Sequence, residues 1–99
     1  MYRIIDNRGT GKTSRLLLLA KENGYTVVCR NPRRLIEKAH VYGIKGVKII
    51  SYEDLSYGIA DDLNEEIPVV IDELEDFVKY LLNEVNFKLG GYTLSLLEN

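Results

Sequence analysis

The hexapeptide Gly9-Thr10-Gly11-Lys12-Thr13-Ser14 constrains this chain more than any other stretch. Closely spaced glycines followed at once by a lysine and a hydroxyl suit a loop whose successive backbone N–H groups form a concave nest for phosphate, with a helix start behind it. Such a nest needs a strand before it and a helix after it. The flanks agree: Tyr2-Arg3-Ile4-Ile5 reads as a short strand, and Arg15 followed by Leu16 to Ala20 reads as a helix. Asn7, Arg8, Gly9, Thr10, Gly11, Lys12, Thr13 and Ser14 are therefore the candidate phosphate-binding residues. Lys12 would reach the outer phosphates, and Thr13 would hold the Mg²⁺ that accompanies a nucleotide.

Measured against G-x-x-x-x-G-K-[ST], the first glycine falls on Asp6. A carboxylate pointing inward there would repel phosphate. The position is tolerable if the side chain turns out and Asn7 takes up left-handed backbone geometry.

A second element completes the pattern. Ile67-Pro68-Val69-Val70-Ile71-Asp72-Glu73 is an apolar run ending in two adjacent carboxylates. A continuous apolar run suits a parallel strand buried on both faces, and open α/β sheets bind ligands outside the carboxyl ends of their strands. The acid pair is thus expected beside the lysine loop. Asp72 would share the metal with Thr13, and Glu73 would orient and deprotonate an attacking water.

With these two motifs in this order the chain resembles the P-loop NTPases, Asp6 to Thr13 as a degenerate Walker A and Val69 to Glu73 as a Walker B. The Asp-Glu ending is similar to the helicase, recombinase and AAA-type branch, in which a glutamate next to the magnesium aspartate activates water. The whole chain also looks like compact ATP-binding proteins of bacteriophage and prophage genomes, which keep an arginine before the lysine loop, as Arg8 is here. The resemblance implies ATP with Mg²⁺ as ligand, adenine being preferred to guanine on that ground alone. It also implies an α/β fold, a three-layer P-loop core of about five mainly parallel strands with helices on both faces. The strand order would be 1-5-4-2-3.

Ninety-nine residues make a single minimal nucleotide-binding domain, 1–99, with one core. A two-lobed motor needs a second core, so the chain alone is not expected to be a processive helicase. A net charge of −2 gives no global attraction to nucleic acid or anionic membrane. Cys29 is the lone cysteine, which excludes an internal disulfide and suits a reducing compartment. The longest apolar run, Leu16 to Ala20, is far too short to span a bilayer, and no leader peptide is apparent. The cytoplasm, that of a bacterial host for a phage-encoded chain, is the expected location.

Along the chain, the first helix is expected from Lys12 to Asn23, with Gly24 as its left-handed terminator. Tyr25 to Cys29 is a β-branched second strand. Asn31 caps a second helix that has Pro32 in its first position. Arg33 and Arg34 follow at once, where cations oppose the helix dipole. With Arg30 they form a basic cluster at the carboxyl edge of the sheet, read either as a solvated turn with Arg33 paired to Glu37 or as a contact for single-stranded nucleic acid or an acidic protein partner. His40 is read as structural. Val47 to Tyr52 is the third strand, and Glu53 to Leu55 adds a helical turn.

Between Glu53 and Glu66 lie six carboxylates, Asp61 and Asp62 among them, without a metal-loop pattern. Leu74, Phe77, Val78, Leu81, Leu82 and Val85 recur at helical spacing and predict one buried stripe. Tyr92 to Leu97 is expected to be the last strand, with Ser95 or Asn99 available to sense a γ-phosphate.

Three functions are compatible with these residues. The first is slow Mg-dependent ATP hydrolysis, coupled to nucleic acid or a larger partner, with Lys12 and Glu73 catalytic. The second is a nucleotide-binding interaction module without useful catalysis. The third, a small-molecule kinase, needs a lid and an acceptor pocket for which the chain has little room.

Overall fold

A computed structural model of the chain describes residues 1–7, 9–58 and 64–95. Among these, four helices and three strands alternate: α1 (Lys12–Asn23), β1 (Thr26–Cys29), α2 (Pro32–Val41), β2 (Ile49–Ser51), α3 (Tyr52–Tyr57), β3 (Val69–Ile71) and α4 (Leu74–Glu84). All strand pairings are parallel, in the order β2-β1-β3, with Val28 opposite both Ile50 and Ile71. The central strand reads Thr-Val-Val-Cys and is buried along its whole length, as expected of a parallel strand covered on both faces.

Side-chain alternation along β1 divides the core in two. Val27 and Cys29 pack with Leu17 and Ala20 of α1, Leu35 and Ala39 of α2, and Ile44. Val28 faces the other way, with Ile50 and Tyr52, joined by Leu55, Ile71, Phe77 and Tyr80 from α3, β3 and α4. Leu17, Val27 and Val28 are fully buried; each such side chain contributes about 1.5–3 kcal/mol of transfer free energy.

The helix ends follow local chemistry. Gly24 closes α1 in the left-handed region at φ 71°, and its N–H bonds back to the Ala20 carbonyl. Asn31 Oδ1 accepts from the Arg34 amide with Pro32 at the first helical position. Ser51 and Asp54 form a reciprocal capping box at the start of α3.

The expected five-stranded, three-layer core is not found: the sheet has three strands. The expected neighbours 4-2-3 are present as β3-β1-β2, whereas the outer strands, Tyr2 to Ile5 and Tyr92 to Leu97, form no strand among their described residues. Tyr2 to Ile5 lies along α1 instead, with Tyr2 and Ile5 left exposed. Tyr2 and Ile4 line a cleft with Leu18 and Leu19. At the other end Tyr92 and Leu94 are exposed, and Leu96 to Asn99, including the candidate sensor Asn99, lie outside the described residues. The stripe on α4 is also only partly covered: none of its residues is fully buried, and Leu74, Leu81 and Val85 are exposed. No helix among the described residues is long and apolar enough to cross a membrane.

Candidate functional site

Parallel register brings the carboxyl ends of the three strands to one edge, where Arg30, Tyr52 and Asp72 each follow the last residue of a strand. The lysine loop meets the sheet at this edge. Thr13 Oγ1 lies 3.4 Å from Asp72 Oδ1, at the long limit of a hydrogen bond, although the two residues are 59 positions apart. Asp72 is half-buried, and its amide donates to the Val28 carbonyl at 2.9 Å, which extends the β1–β3 ladder by one step.

Burial and then the neighbouring Glu73 charge push the Asp72 carboxyl above its ordinary range, against smaller opposing contributions from Thr13, Lys38 and Lys12. An anion held at such a cost is relieved by a cation, which is the chemistry a magnesium ligand needs. Among the described residues no three His, Cys, Asp or Glu side chains converge. One carboxylate plus one hydroxyl matches the way Mg²⁺ is bound with phosphates and waters rather than in a protein cage.

The loop is shaped by its own short-range bonds. Gly9 and Gly11 take left-handed φ values of 76° and 80°, and Gly11 is the N-cap of α1 without a side-chain cap bond. Asn7 does not adopt the left-handed geometry expected of it; the glycines do so instead, at no Cβ cost. The Thr10 hydroxyl donates to the Asn7 carbonyl at 2.7 Å, Ser14 Oγ to the Gly11 carbonyl at 2.9 Å, and Lys12 Nζ to the Asp6 carbonyl at 2.7 Å. The Asp6 carboxylate accepts from the Asn7 amide at 2.8 Å and from Arg15 at 3.4 Å. The Asn7 amide bond, followed by the Arg15 charge, holds that carboxyl below its ordinary range. Arg8 lies outside the described residues.

Glu73 is exposed and serves as N-cap of α4 at φ 61°, ψ 74°, again with no side-chain cap bond. For a glutamate this left-handed conformation costs on the order of 1–3 kcal/mol, and strain of this kind persists only where surrounding structure enforces it. Tyr52 touches this turn. Its ring is buried, and its hydroxyl lies 2.7 Å from the Asp72 carbonyl and 3.1 Å from the Glu73 carbonyl. Sequence reading placed Tyr52 merely as the end of the third strand. The available signal was its position, the first residue past β2 on the edge where parallel strands gather ligands.

The basic cluster does not act as a unit. Arg30 is engaged bidentately with Asp76, Nε to Oδ2 at 2.6 Å and Nη2 to Oδ1 at 2.9 Å, and its guanidinium lies 5.8 Å from the Tyr52 ring centroid. Arg33 reaches Glu37 only at 4.0 Å with both side chains largely exposed, and Arg34 is exposed. His40 is exposed, and Ser95 lies in no strand. Of the acidic connection, Asp61 and Asp62 lie outside the described residues. The Cys29 thiol is buried and pushed up to about 11, chiefly by that burial, so it is not a nucleophile at neutral pH.

Two clefts, of about 360 and 300 Å³, are lined by Arg30, Asp76 and the outer face of α4, and by residues 2–4 with α1. Neither includes a residue of the lysine loop. No family model, curated protein or solved structure matches the chain.

Proposed function

We propose that this chain binds ATP with Mg²⁺ and hydrolyses it slowly. The observation that carries the reading is the meeting of Thr13 with Asp72 at 3.4 Å, a hydroxyl and a half-buried carboxylate delivered from opposite ends of the chain to one edge of a parallel sheet. Thr13 and Asp72 would hold the metal, which supplies charge neutralisation on the phosphate oxygens. The amides around Gly9 and Gly11 and the Lys12 ammonium would hold the phosphate chain, Lys12 exchanging its bond to the Asp6 carbonyl for one to phosphate. Glu73 would accept the proton of a water attacking in line. Charge developing on the transferred phosphoryl would be stabilised by Lys12 and the loop amides. Arg30 is held by Asp76, so Arg33 and Arg34 remain the exposed cations for single-stranded nucleic acid or an acidic partner.

A nucleotide-binding module without useful turnover is the second reading. It is favoured by Lys12 bonding within its own loop and by the exposure of Glu73 to solvent. Calorimetry with ATP and a non-hydrolysable analogue, paired with phosphate release with and without single-stranded DNA, separates the two. Equal binding with measurable, Mg-dependent release is expected. Binding without release selects the module, and no binding of either nucleotide removes both.

A further inference from the structure

We infer that Tyr52 is a positioning residue for Glu73: its buried hydroxyl holds the backbone of the acid pair so that Glu73 stays in a conformation it would otherwise leave. The inference rests on the hydrolytic reading above and concerns how that site is kept ready.

Asp72 is anchored to the sheet, whereas the backbone bonds of Glu73 run to the helix start and to Tyr52. The Asp72 amide is tied to the Val28 carbonyl at 2.9 Å, so the sheet holds that residue in any case. The Glu73 carbonyl accepts from the Phe77 amide, as at any helix start, and from Tyr52. It carries φ 61° with no side-chain cap to compensate. A hydroxyl that reaches two successive carbonyls, at 2.7 and 3.1 Å, fixes the dihedral angles between them.

The hydroxyl itself is well placed to persist. Its ring is held by Phe77 at 4.9 Å and Tyr80 at 5.8 Å between centroids, and by Arg30 above it. The Ser51–Asp54 capping box fixes the turn that presents it. A phenol is protonated through the physiological range, so the hydroxyl stays a donor. Tyr52 thus ties the strand edge, the first turn of α4 and the acid pair into one rigid piece. Loosening a positioned base by about an ångström costs on the order of 100-fold in rate, and removal of a supporting hydrogen bond about 10- to 100-fold.

Tyr52→Phe keeps the ring and removes only the donor. In the full ligand-free chain, the Glu73 amide–Hα coupling and carbon shifts should report left-handed φ in the wild type and ordinary helical φ in Tyr52→Phe. Turnover should fall about 10- to 100-fold with ATP affinity within about twofold, and Tyr52→Phe should add no loss in a Glu73→Gln background. Unchanged Glu73 shifts, or turnover within twofold of wild type while Glu73→Gln is inactive, overturns the positioning role and leaves the hydrolytic reading standing. Full turnover in Glu73→Gln, or none in the wild type, overturns that reading and the inference with it. Should Tyr52→Phe fail to fold, 4-fluorophenylalanine at position 52, close to tyrosine in size and without the donor, replaces it, with the same readouts expected and the same results overturning the inference.

Discussion

The lysine loop and the acid-pair turn face one another but are built in opposite ways. Apart from the contact of Thr13 with Asp72, the loop is shaped among the described residues by short-range bonds: Thr10 to Asn7 and Ser14 to Gly11 span 3 positions, Lys12 to Asp6 spans 6, and Arg15 to Asp6 spans 9. The acid-pair turn is held from far along the chain, by Tyr52 at 20 and 21 positions and by Arg30 to Asp76 at 46. A loop closed on itself can rearrange around a ligand without disturbing the core. A turn pinned by the tertiary fold is pre-set, and carries strain at Glu73 as part of that setting.

The contrast is broken most severely at Glu73. Glu73→Gln should lower phosphate release by about 10²- to 10⁴-fold with ATP binding intact, as loss of a general base does; steady-state release beside calorimetry measures both. Lys12→Ala tests the loop: removal of one charged hydrogen bond should weaken ATP binding by about 1.5–3 kcal/mol. Because that bond is local and exposed, Tm should stay within about 2–4 °C of wild type, the equivalent of the ±0.5 kcal/mol of an ordinary surface change.

Asp72→Asn should separate function from stability. The Asp72 carboxyl is raised in the fold, so its ionised form opposes folding above the folded pKa and that opposition is relieved as pH falls. The amide should raise Tm at neutral pH, by about 4–8 °C for each kcal/mol recovered, while abolishing Mg-dependent nucleotide binding. A fall in Tm would show that the carboxylate is structural.

The smallest effect belongs to the exposed Arg30–Asp76 pair. Hydrogen bonding from Arg30 lowers the Asp76 carboxyl, so its contribution is present above the ordinary carboxylate range and disappears as pH falls through the lowered value. Arg30→Ala should cost below about 1 kcal/mol at neutral pH, and less in high salt; denaturant midpoints at pH 7 and in acid check it.

The same contrast separates what could be read in the chain from what could not. Gly24 as terminator, Asn31-Pro32 as helix start and the apolar run of β1 are local signals, each found where local chemistry puts it. The run from Ile67 to Ile71, expected to be buried on both faces, forms only the short edge strand β3 with Ile67 and Val69 exposed. Tyr2 to Ile5 and Tyr92 to Leu97 carry equally plausible strand patterns, yet strand formation depends on a neighbour as well as on alternation, and Tyr2 and Ile4 lie along α1. The α4 periodicity correctly marks a helix but overstates its burial, because the sheet it covers is narrower than five strands. Lys12, Thr13, Asp72 and Glu73 stand out by type and spacing. Tyr52 and the Arg30–Asp76 pair do not, because a hydroxyl aimed at two carbonyls, or an arginine meeting a carboxylate 46 positions away, has no one-dimensional signature.

Parallel pairing imposes an order of assembly. β2 and β3 each join β1 only across an intervening connection, whereas α1 and the lysine loop need nothing distant to form. Long-range parallel pairing is slow relative to helix formation. Asp72 therefore stands opposite Thr13 only once β3 has paired with β1. During refolding, helical signal should recover before the chain can take up nucleotide, and a triphosphate with its metal would act as a latch on that pairing.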